Sequence, residues 1–341
     1  MRNWLDSPYG RWIRATLTVV SVVAASLVLS AQSTQLRLVS TAWSPFTNVA
    51  GQPRFALDLV ETALKRIDVT ASTTIVEPAQ FTAALMNGPY DGSAAAWKDS
   101  ERERLLLFSQ PYLENRLILV GRKGADVTAS KLSALAGKRI AIVGGYAYGD
   151  IGTTGPVFVQ SKGEEDSLTQ LLQSKADYAL MDELVVQYLV ANYPKETQTR
   201  LQLGTSAVVT RPLYFAIRRS RIDAESIIRR FDAQLRGLIA DRTYHKLLHV
   251  GWILADVDGD GSPEYVPASD KAGTRSPQHV YSLITTDASN PMNKAIKVNE
   301  RFYVGGTIYS DWAAVPNRFK IEDPQEPSSA RSTGSIFKFV W

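Results

Sequence analysis

Hydrophobic positions along the chain fall into three regimes. Leu17 to Ala31 (LTVVSVVAASLVLSA) is almost continuously apolar, and no charged residue stands between Arg14 and Arg37. From Leu36 to about Trp252 the apolar clusters become short and periodic. Leu36–Thr41 (LRLVST) predicts a strand. Phe55, Leu59, Ala63 and Ile67 recur every four residues, one face of a helix over 55–67. Thr73–Glu77 predicts a strand, Phe81–Met86 a short helix, and Leu117–Val120 and Arg139–Val143 buried strands. A helix is expected over Ser167–Gln173 with Asp166 as its cap, then a strand at Tyr178–Met181 and a helix at Glu183–Ala191. Ala224–Val250 reads as two helices broken near Asp241-Arg242. Strand and helix alternate, which favours an α/β architecture with mainly parallel sheets.

Beyond Leu254 an acidic Gly-rich loop (ADVDGDGSPEYV) opens a β-rich texture. Short strands are expected near His279–Thr285 and Arg301–Tyr309, with Gly305-Gly306 as a two-residue hairpin turn. Pro324–Gly334 is Pro/Ser-rich, and Phe337, Phe339 and Trp341 alternate as in a closing strand. Outer-membrane barrels also end on alternating aromatics, but repeated barrel strands are lacking elsewhere, so a strand packed on the extension is preferred.

Composition changes this picture in three ways. With 341 residues, 45% apolar and 21% charged, the chain can bury a large core in about two domains, and wholesale disorder is excluded. The absence of Cys removes disulfides, thiolate metal sites, thiol nucleophiles and lipid attachment through Cys. A net charge of +4, from 38 scattered basic and 34 acidic residues, gives no basis for nucleic-acid binding. Arg2, Arg11 and Arg14 before the apolar run, and small residues at Ala31 and Ser33 after it, predict a cleaved signal peptide over 1–33 and a soluble, periplasmic protein. An uncleaved anchor is the alternative, because the uncharged gap just reaches bilayer length.

Six segments in order resemble the family 3 extracellular solute-binding proteins of polar amino-acid ABC transporters. They are Thr41-Ala42-Trp43-Ser44-Pro45-Phe46, Phe55-Ala56-Leu57-Asp58-Leu59, and Glu101-Arg102 followed by Phe108-Ser109-Gln110-Pro111-Tyr112. Leu135-Ala136-Gly137-Lys138-Arg139-Ile140, Ala176-Asp177-Tyr178-Ala179-Leu180-Met181-Asp182 and Thr243-Tyr244-His245-Lys246-Leu247 complete the set. The resemblance implies a two-lobed α/β fold, the type II periplasmic binding protein with a hinge, over 34–252. Lobe 1 would take about 36–113 and 214–252, and lobe 2 about 114–213. Residues 253–341 would form a C-terminal β-rich extension carrying the acidic loop.

By the same resemblance, Arg102 forks onto a ligand carboxylate, a use that suits its paired donors. Asp182 accepts a ligand ammonium, and it can also cap the following helix. Trp43 and Phe81 fall where aromatics meet the ligand. The sequence departs from the family twice. The loop Gly144-Gly145-Tyr146-Ala147-Tyr148-Gly149 lacks the family's threonines, so either Tyr146 substitutes as a ligand contact or the pocket is a different one. Ala94-Ala95-Ala96-Trp97-Lys98 replaces a hydroxyl-bearing run, and Trp97 would enter or wall the cleft. An α-amino-acid ligand is therefore one option beside a differently shaped amine or acid.

The loop from Asp256 has oxygen donors at alternate positions: Asp256, Asp258, Asp260, the carbonyl of Ser262 and Glu264. Calcium takes six to eight oxygens, so a structural Ca2+ is expected at 256–264 in a short loop unlike an EF-hand, whose twelfth-position Glu is Pro267 here. A metal-free Asp/Gly turn is the alternative. His245 and His249 lack the acid of a zinc-protease helix and are read as ordinary helix residues. The expectation is a monomeric, non-enzymatic binding protein that passes a small polar, amino-acid-like or amine-bearing ligand to a membrane permease. A sensor for a membrane receptor is the alternative, and an enzyme on the same scaffold, such as a dehydratase, a more distant one.

Overall fold

The computed structural model describes residues 34–149, 151, 155–276, 281–282 and 300–321. The expected signal peptide, the Pro/Ser-rich stretch and the closing aromatic run lie outside the described residues. Lobe 1 is built on β1 (Thr34–Thr41), β2 (Val69–Val76) and β3 (Gly92–Trp97). Helix α1 (Phe55–Lys65) lays Phe55, Leu59 and Ala63 on this sheet as the period predicts, and its wider face also buries Ala56, Leu57, Val60 and Leu64. The helix stops two residues before Ile67, which is buried nonetheless. Helices α2 (Pro78–Asn87) and α3 (Ser100–Leu105) and the short β4 (Leu106–Phe108) follow.

Lobe 2 holds β6 (Arg139–Val143), β7 (Val157–Ser161), β8 (Tyr178–Asp182) and helices α4 (Glu164–Leu172), α5 (Glu183–Asn192) and α6 (Pro194–Arg200). Two long strands join the lobes: β5 (Leu113–Arg122) and β9 (Leu201–Arg218). They pair antiparallel from Leu113↔Leu213 to Arg122↔Leu201. The sheet order is β2-β1-β3-β9-β5-β8-β6-β7, with β4 beside β9. Pairing is parallel between β1 and β3 and among β6, β7 and β8, but antiparallel wherever β5 or β9 takes part. The expectation of mainly parallel sheets is thus corrected at the hinge. The chain crosses between lobes on two adjacent strands running in opposite directions.

Helices α7 (Ala224–Ala240) and α8 (Thr243–Leu248) return to lobe 1 and break at Asp241-Arg242 as expected, with Arg242 in a left-handed conformation. A hairpin of β10 (Trp252–Ala255) and β11 (Glu264–Pro267) brackets the acidic loop. With β12 (Tyr281–Ser282), β13 (Arg301–Val304) and β14 (Thr307–Tyr309) it forms a second sheet, ordered β12-β10-β11-β13-β14. Gly305 and Gly306 both have positive φ, the conformation a type I′ hairpin turn requires of its two central residues. Phe302, Val304, Val315 and Ala272 make a small core under Trp252 and Trp312. His245 is buried and its Nε2 lies 3.0 Å from the Val266 carbonyl, which ties α8 to this sheet.

The closest backbone approach in lobe 1 is at Gly92, where a Cβ would sit 2.0 Å from the Ala216 carbonyl oxygen of β9. Gly92→Ala must push β3 from β9, and is expected to cost about 2–3 kcal/mol in urea unfolding. A loss below 0.5 kcal/mol would show that the two strands are not held this close.

Candidate functional site

Trp43 is set by a tight turn after β1. Its N–H donates to Thr47 O (2.8 Å), its carbonyl accepts from Phe46 N–H, and Thr47 Oγ1 donates to Thr41 O. Phe46 stacks on the Trp43 ring at 4.1 Å. Trp97 ends β3, and its indole N–H donates to Asn115 Oδ1 on β5 (2.8 Å). Tyr146 and Tyr148 follow β6. The rings of Trp43, Trp97, Tyr146 and Tyr148 meet edge to face or tilted, with centroids 5.3–6.2 Å apart. Tyr146 Oη lies 3.1 Å from Thr41 Oγ1, and Thr82 Oγ1 donates to Gly145 O (3.0 Å), so lobe 1 and lobe 2 touch here. Gly145, at φ +84°, brings its backbone against Pro78 O of α2, and tyrosine rings fill the space beside it.

Thr41, Trp43, Phe81, Trp97, Arg102 and Tyr146 line one small cavity of about 20 Å³. The structure therefore gathers five predicted ligand residues, Trp43, Phe81, Trp97, Arg102 and Tyr146, at one place. Arg102 is 3% exposed. Its guanidinium donates from Nη1 to Trp97 O (2.9 Å) and from Nη2 to Thr82 Oγ1 (3.1 Å), and lies 5.6 Å from the centre of the Phe81 ring. Nε stands 3.6 Å from Asp99 Oδ2 and makes no hydrogen bond among the described residues. Burial draws the Arg102 pKa below its usual value, and Asp99 opposes the shift. Two of five N–H donors are thus engaged by the protein, and the buried remainder can meet an anion.

Asp182, the sixth predicted residue, does not line the cavity itself. It stands behind Asn115, whose Nδ2 donates to Asp182 Oδ2 (2.9 Å). Its Oδ1 accepts the Leu184 N–H (2.7 Å), so the capping role of this acid is real and coexists with a place at the cleft. Burial pushes its carboxyl up to about 7, against the hydrogen bonds from Asn115 and Leu184. Asn115 was not among the candidates, because an Asn in an apolar strand carries no motif.

Glu164 was missed as well. The expected helix at Ser167–Gln173 in fact begins at Glu164, with Gly163 rather than Asp166 at its cap. Asp166 instead accepts from Lys162 N–H and Gln170 Nε2. The earlier start turns Glu164 inward, where it is 8% exposed. Burial pushes its carboxyl up to about 8, and the charge of Asp182 adds to the shift. The Trp43 indole N–H is close enough to favour the anion slightly, yet both Trp43 Nε1 and Glu164 Oε2 lack a hydrogen bond among the described residues.

The sequence model of the bacterial extracellular solute-binding proteins, family 3, matches residues 38–253. The chain belongs to this family. Solved structures agree on the fold. An arginine 3rd transport system periplasmic binding protein from Legionella pneumophila is 20% identical, covering 63% of this chain and 98% of its own, at TM-score 0.53. A mutant of ArgBP from T. maritima is 22% identical over 63% of this chain and 93% of its own, at TM-score 0.52. The GluR0 ligand-binding core from Nostoc punctiforme in complex with (L)-glutamate is 19% identical over 62% and 96%, at TM-score 0.51. No curated protein matches by sequence. The family binds solutes, so this is a solute-binding protein and not an enzyme. No helix among the described residues is long and apolar enough to cross a membrane.

The family match ends at the β10–β11 hairpin of this solute-binding protein. In the loop between those strands one carboxylate oxygen from each of Asp256, Asp258 and Asp260 lies within 4.8 Å of the others. Asp256 accepts from Gly259 and Gly261 N–H, Asp258 from Asp260 N–H, and Asp260 from Ser262 N–H. Glu264, the last candidate ligand, is fully buried and accepts from Val257 N–H. Arg301 of β13 reaches all three sides, at 2.8 Å from Asp260, 3.3 Å from Asp258 and 3.2 Å from Glu264. A guanidinium thus already supplies positive charge among the predicted calcium ligands.

Glu164 and Asp182 give the fold a pH dependence with a definite sign. Their folded values, about 8 and about 7, lie above those of free carboxyls, so the unfolded chain releases these protons first as pH rises. Their contribution to stability is full below about pH 4 and is lost by about pH 8. Melting temperature should fall by several degrees between about pH 5.5 and pH 8.5, and Glu164→Gln should flatten that slope. Identical slopes in the two proteins would place Glu164 in contact with water.

Proposed function

We propose that this protein captures a small polar solute bearing an amine between its lobes, outside the cytoplasm, and hands it to a membrane permease. The observation that carries the reading is a cavity lined by a buried guanidinium, Arg102, and an aromatic wall, with the buried carboxyl of Asp182 linked to that wall through Asn115 and Trp97. Opposite charges held apart in a low-dielectric cleft match a zwitterion, whose own charges are desolvated only where each meets a partner. The family match and the neighbours support the same class: their names record arginine transport, arginine binding and bound glutamate. The charged, then apolar, then small-residue order of 1–33 supports export through a signal peptide. Opening of the β5–β9 hinge admits the ligand, and closure completes the wall.

A thermal-shift screen of amino acids, polyamines and small carboxylates supplies the probe, and calorimetry then tests the site. Arg102→Ala and Asp182→Ala should each weaken binding of that probe at least tenfold, about 1.4 kcal/mol. Unchanged affinity in both would refute the cleft as the binding site.

For the acidic loop we propose calcium as a competitor of Arg301. The carboxylates offer the hard oxygens calcium takes, and the guanidinium stands at three of the same groups, Asp258, Asp260 and Glu264. Arg301→Ala should therefore bind calcium at least tenfold more tightly than the native protein in a calorimetric titration at pH 7. Equal affinities, or none in either protein, would remove calcium from this loop.

A further inference from the structure

Helix α4 opens with three acids, Glu164, Glu165 and Asp166. Acids in a first turn commonly just complement the helix dipole from the surface. Glu165 and Asp166 are placed for that, both partly exposed. Glu164 is not. It is nine-tenths buried, its Oε2 has no hydrogen bond among the described residues, and the charge bearing on it is that of a second acid, Asp182. Both tyrosines of the lobe 2 wall feel the same carboxyl. From lobe 1, Trp43 points an equally unpartnered indole N–H towards it.

The cations nearest the cleft are committed elsewhere. Arg102 is held by Trp97 O, Thr82 and the Phe81 face, with Asp99 beside it, and Arg116 pairs with Glu183 at 2.8 Å. Arg102 and Asp99 balance each other, and Arg211, which donates to Lys98 O beside Tyr148 and Gly149 and acts on Arg102, offsets one further acid, so one negative charge is left once Glu164 and Asp182 both ionise. Neither acid lines the cavity itself, but the four aromatic rings that meet there, two from each lobe, border it, and aromatic faces attract cations as well as apolar stems. A neutral zwitterion would satisfy Asp182 and Arg102 and leave Glu164 unmatched.

We propose that Glu164 is a ligand-binding residue. With Asp182 it forms a two-carboxylate seat for the cationic part of the ligand, walled by Trp43, Trp97, Tyr146 and Tyr148. Glu164 thereby makes the cleft select ligands of net positive charge over neutral or anionic ones of similar size. The proposal rests on the cleft being the binding site. It adds the charge class of the ligand and the residue that sets it. Because a cation stabilises the ionised pair, binding should also release a proton near neutral pH.

The test uses the full mature chain and four probes: L-arginine, putrescine, L-glutamine and L-glutamate. Calorimetry at pH 7 compares the native protein with Glu164→Gln and Asp182→Asn, each first checked by thermal melting. Arginine or putrescine should bind the native protein at least tenfold tighter than glutamine or glutamate. Glu164→Gln should lower the affinity for the cationic probe at least tenfold while leaving glutamine within about twofold. The cationic probe should also give a binding enthalpy that varies with the ionisation enthalpy of the buffer, and this variation should shrink in Glu164→Gln. Tighter native binding of glutamine or glutamate would overturn the proposal and leave the cleft reading standing. So would a cationic affinity that Asp182→Asn weakens and Glu164→Gln does not. Failure of every probe to bind the native protein at millimolar concentration would overturn the cleft reading and the proposal together.

Discussion

Removing charge from water is the constraint around which the cleft is organised. An ionised group in a low-dielectric interior needs compensating partners or it gives up its charge. Arg102 receives them from the chain itself: the Trp97 carbonyl, the Thr82 hydroxyl, the Phe81 ring and the nearby Asp99. Asp182 receives two N–H donors, from Asn115 and Leu184, and remains anionic only with difficulty. Glu164 receives no such help at Oε2. The cleft thus runs from a cation with two of its five donors engaged at one end to under-satisfied acids at the other. That gradient gives a bound molecule an orientation before any shape is considered.

The hinge strands make this gradient depend on both lobes. Asn115 lies on β5 and bonds Trp97 of lobe 1 through one amide atom and Asp182 of lobe 2 through the other. It sits where β5 pairs with β9, at Asn115↔Arg211. Arg211 in turn donates to Lys98 O just beyond β3. Backbone pairing therefore holds the crossing rigidly while side chains on it reach into each lobe. A rotation about this ribbon would separate Trp43 and Trp97 from Tyr146 and Tyr148 without breaking either lobe's core, which is how hinge closure differs from local unfolding.

What could be read from the sequence follows the strength of local signals. Helix α1 was legible because its apolar period continues over three turns, and the Gly305-Gly306 hairpin because two positive φ values leave few other residues possible. The cavity-lining residues Trp43 and Arg102 of lobe 1 stand inside ordered motifs, so both could be placed. Strand β9 went unassigned because Gly204, Pro212 and partial burial along its lobe 2 half erase any alternation. Helix α4 was started too late because Asp166 looks like a cap, while the true boundary is an extended glycine, Gly163. That error of three residues hid Glu164. A residue whose role lies in being buried without a partner leaves no trace in composition or spacing, since burial is decided by elements far away in sequence.

The C-terminal sheet meets the same constraint with the opposite outcome. Its loop also gathers carboxylates, and the buried Glu264 would be as costly as Glu164 if left alone. Here β13 lies beside β11 with Glu264 directly opposite Arg301 in register, so the guanidinium arrives with the strand pairing itself. The sequence pattern of alternating acids points to a cation, and the chain itself places one, Arg301, beside them. Matching acids to a cation is therefore sound physics that cannot by itself name the cation. In the cleft the described residues bring no guanidinium to Glu164, and its carboxyl keeps its proton to a higher pH instead.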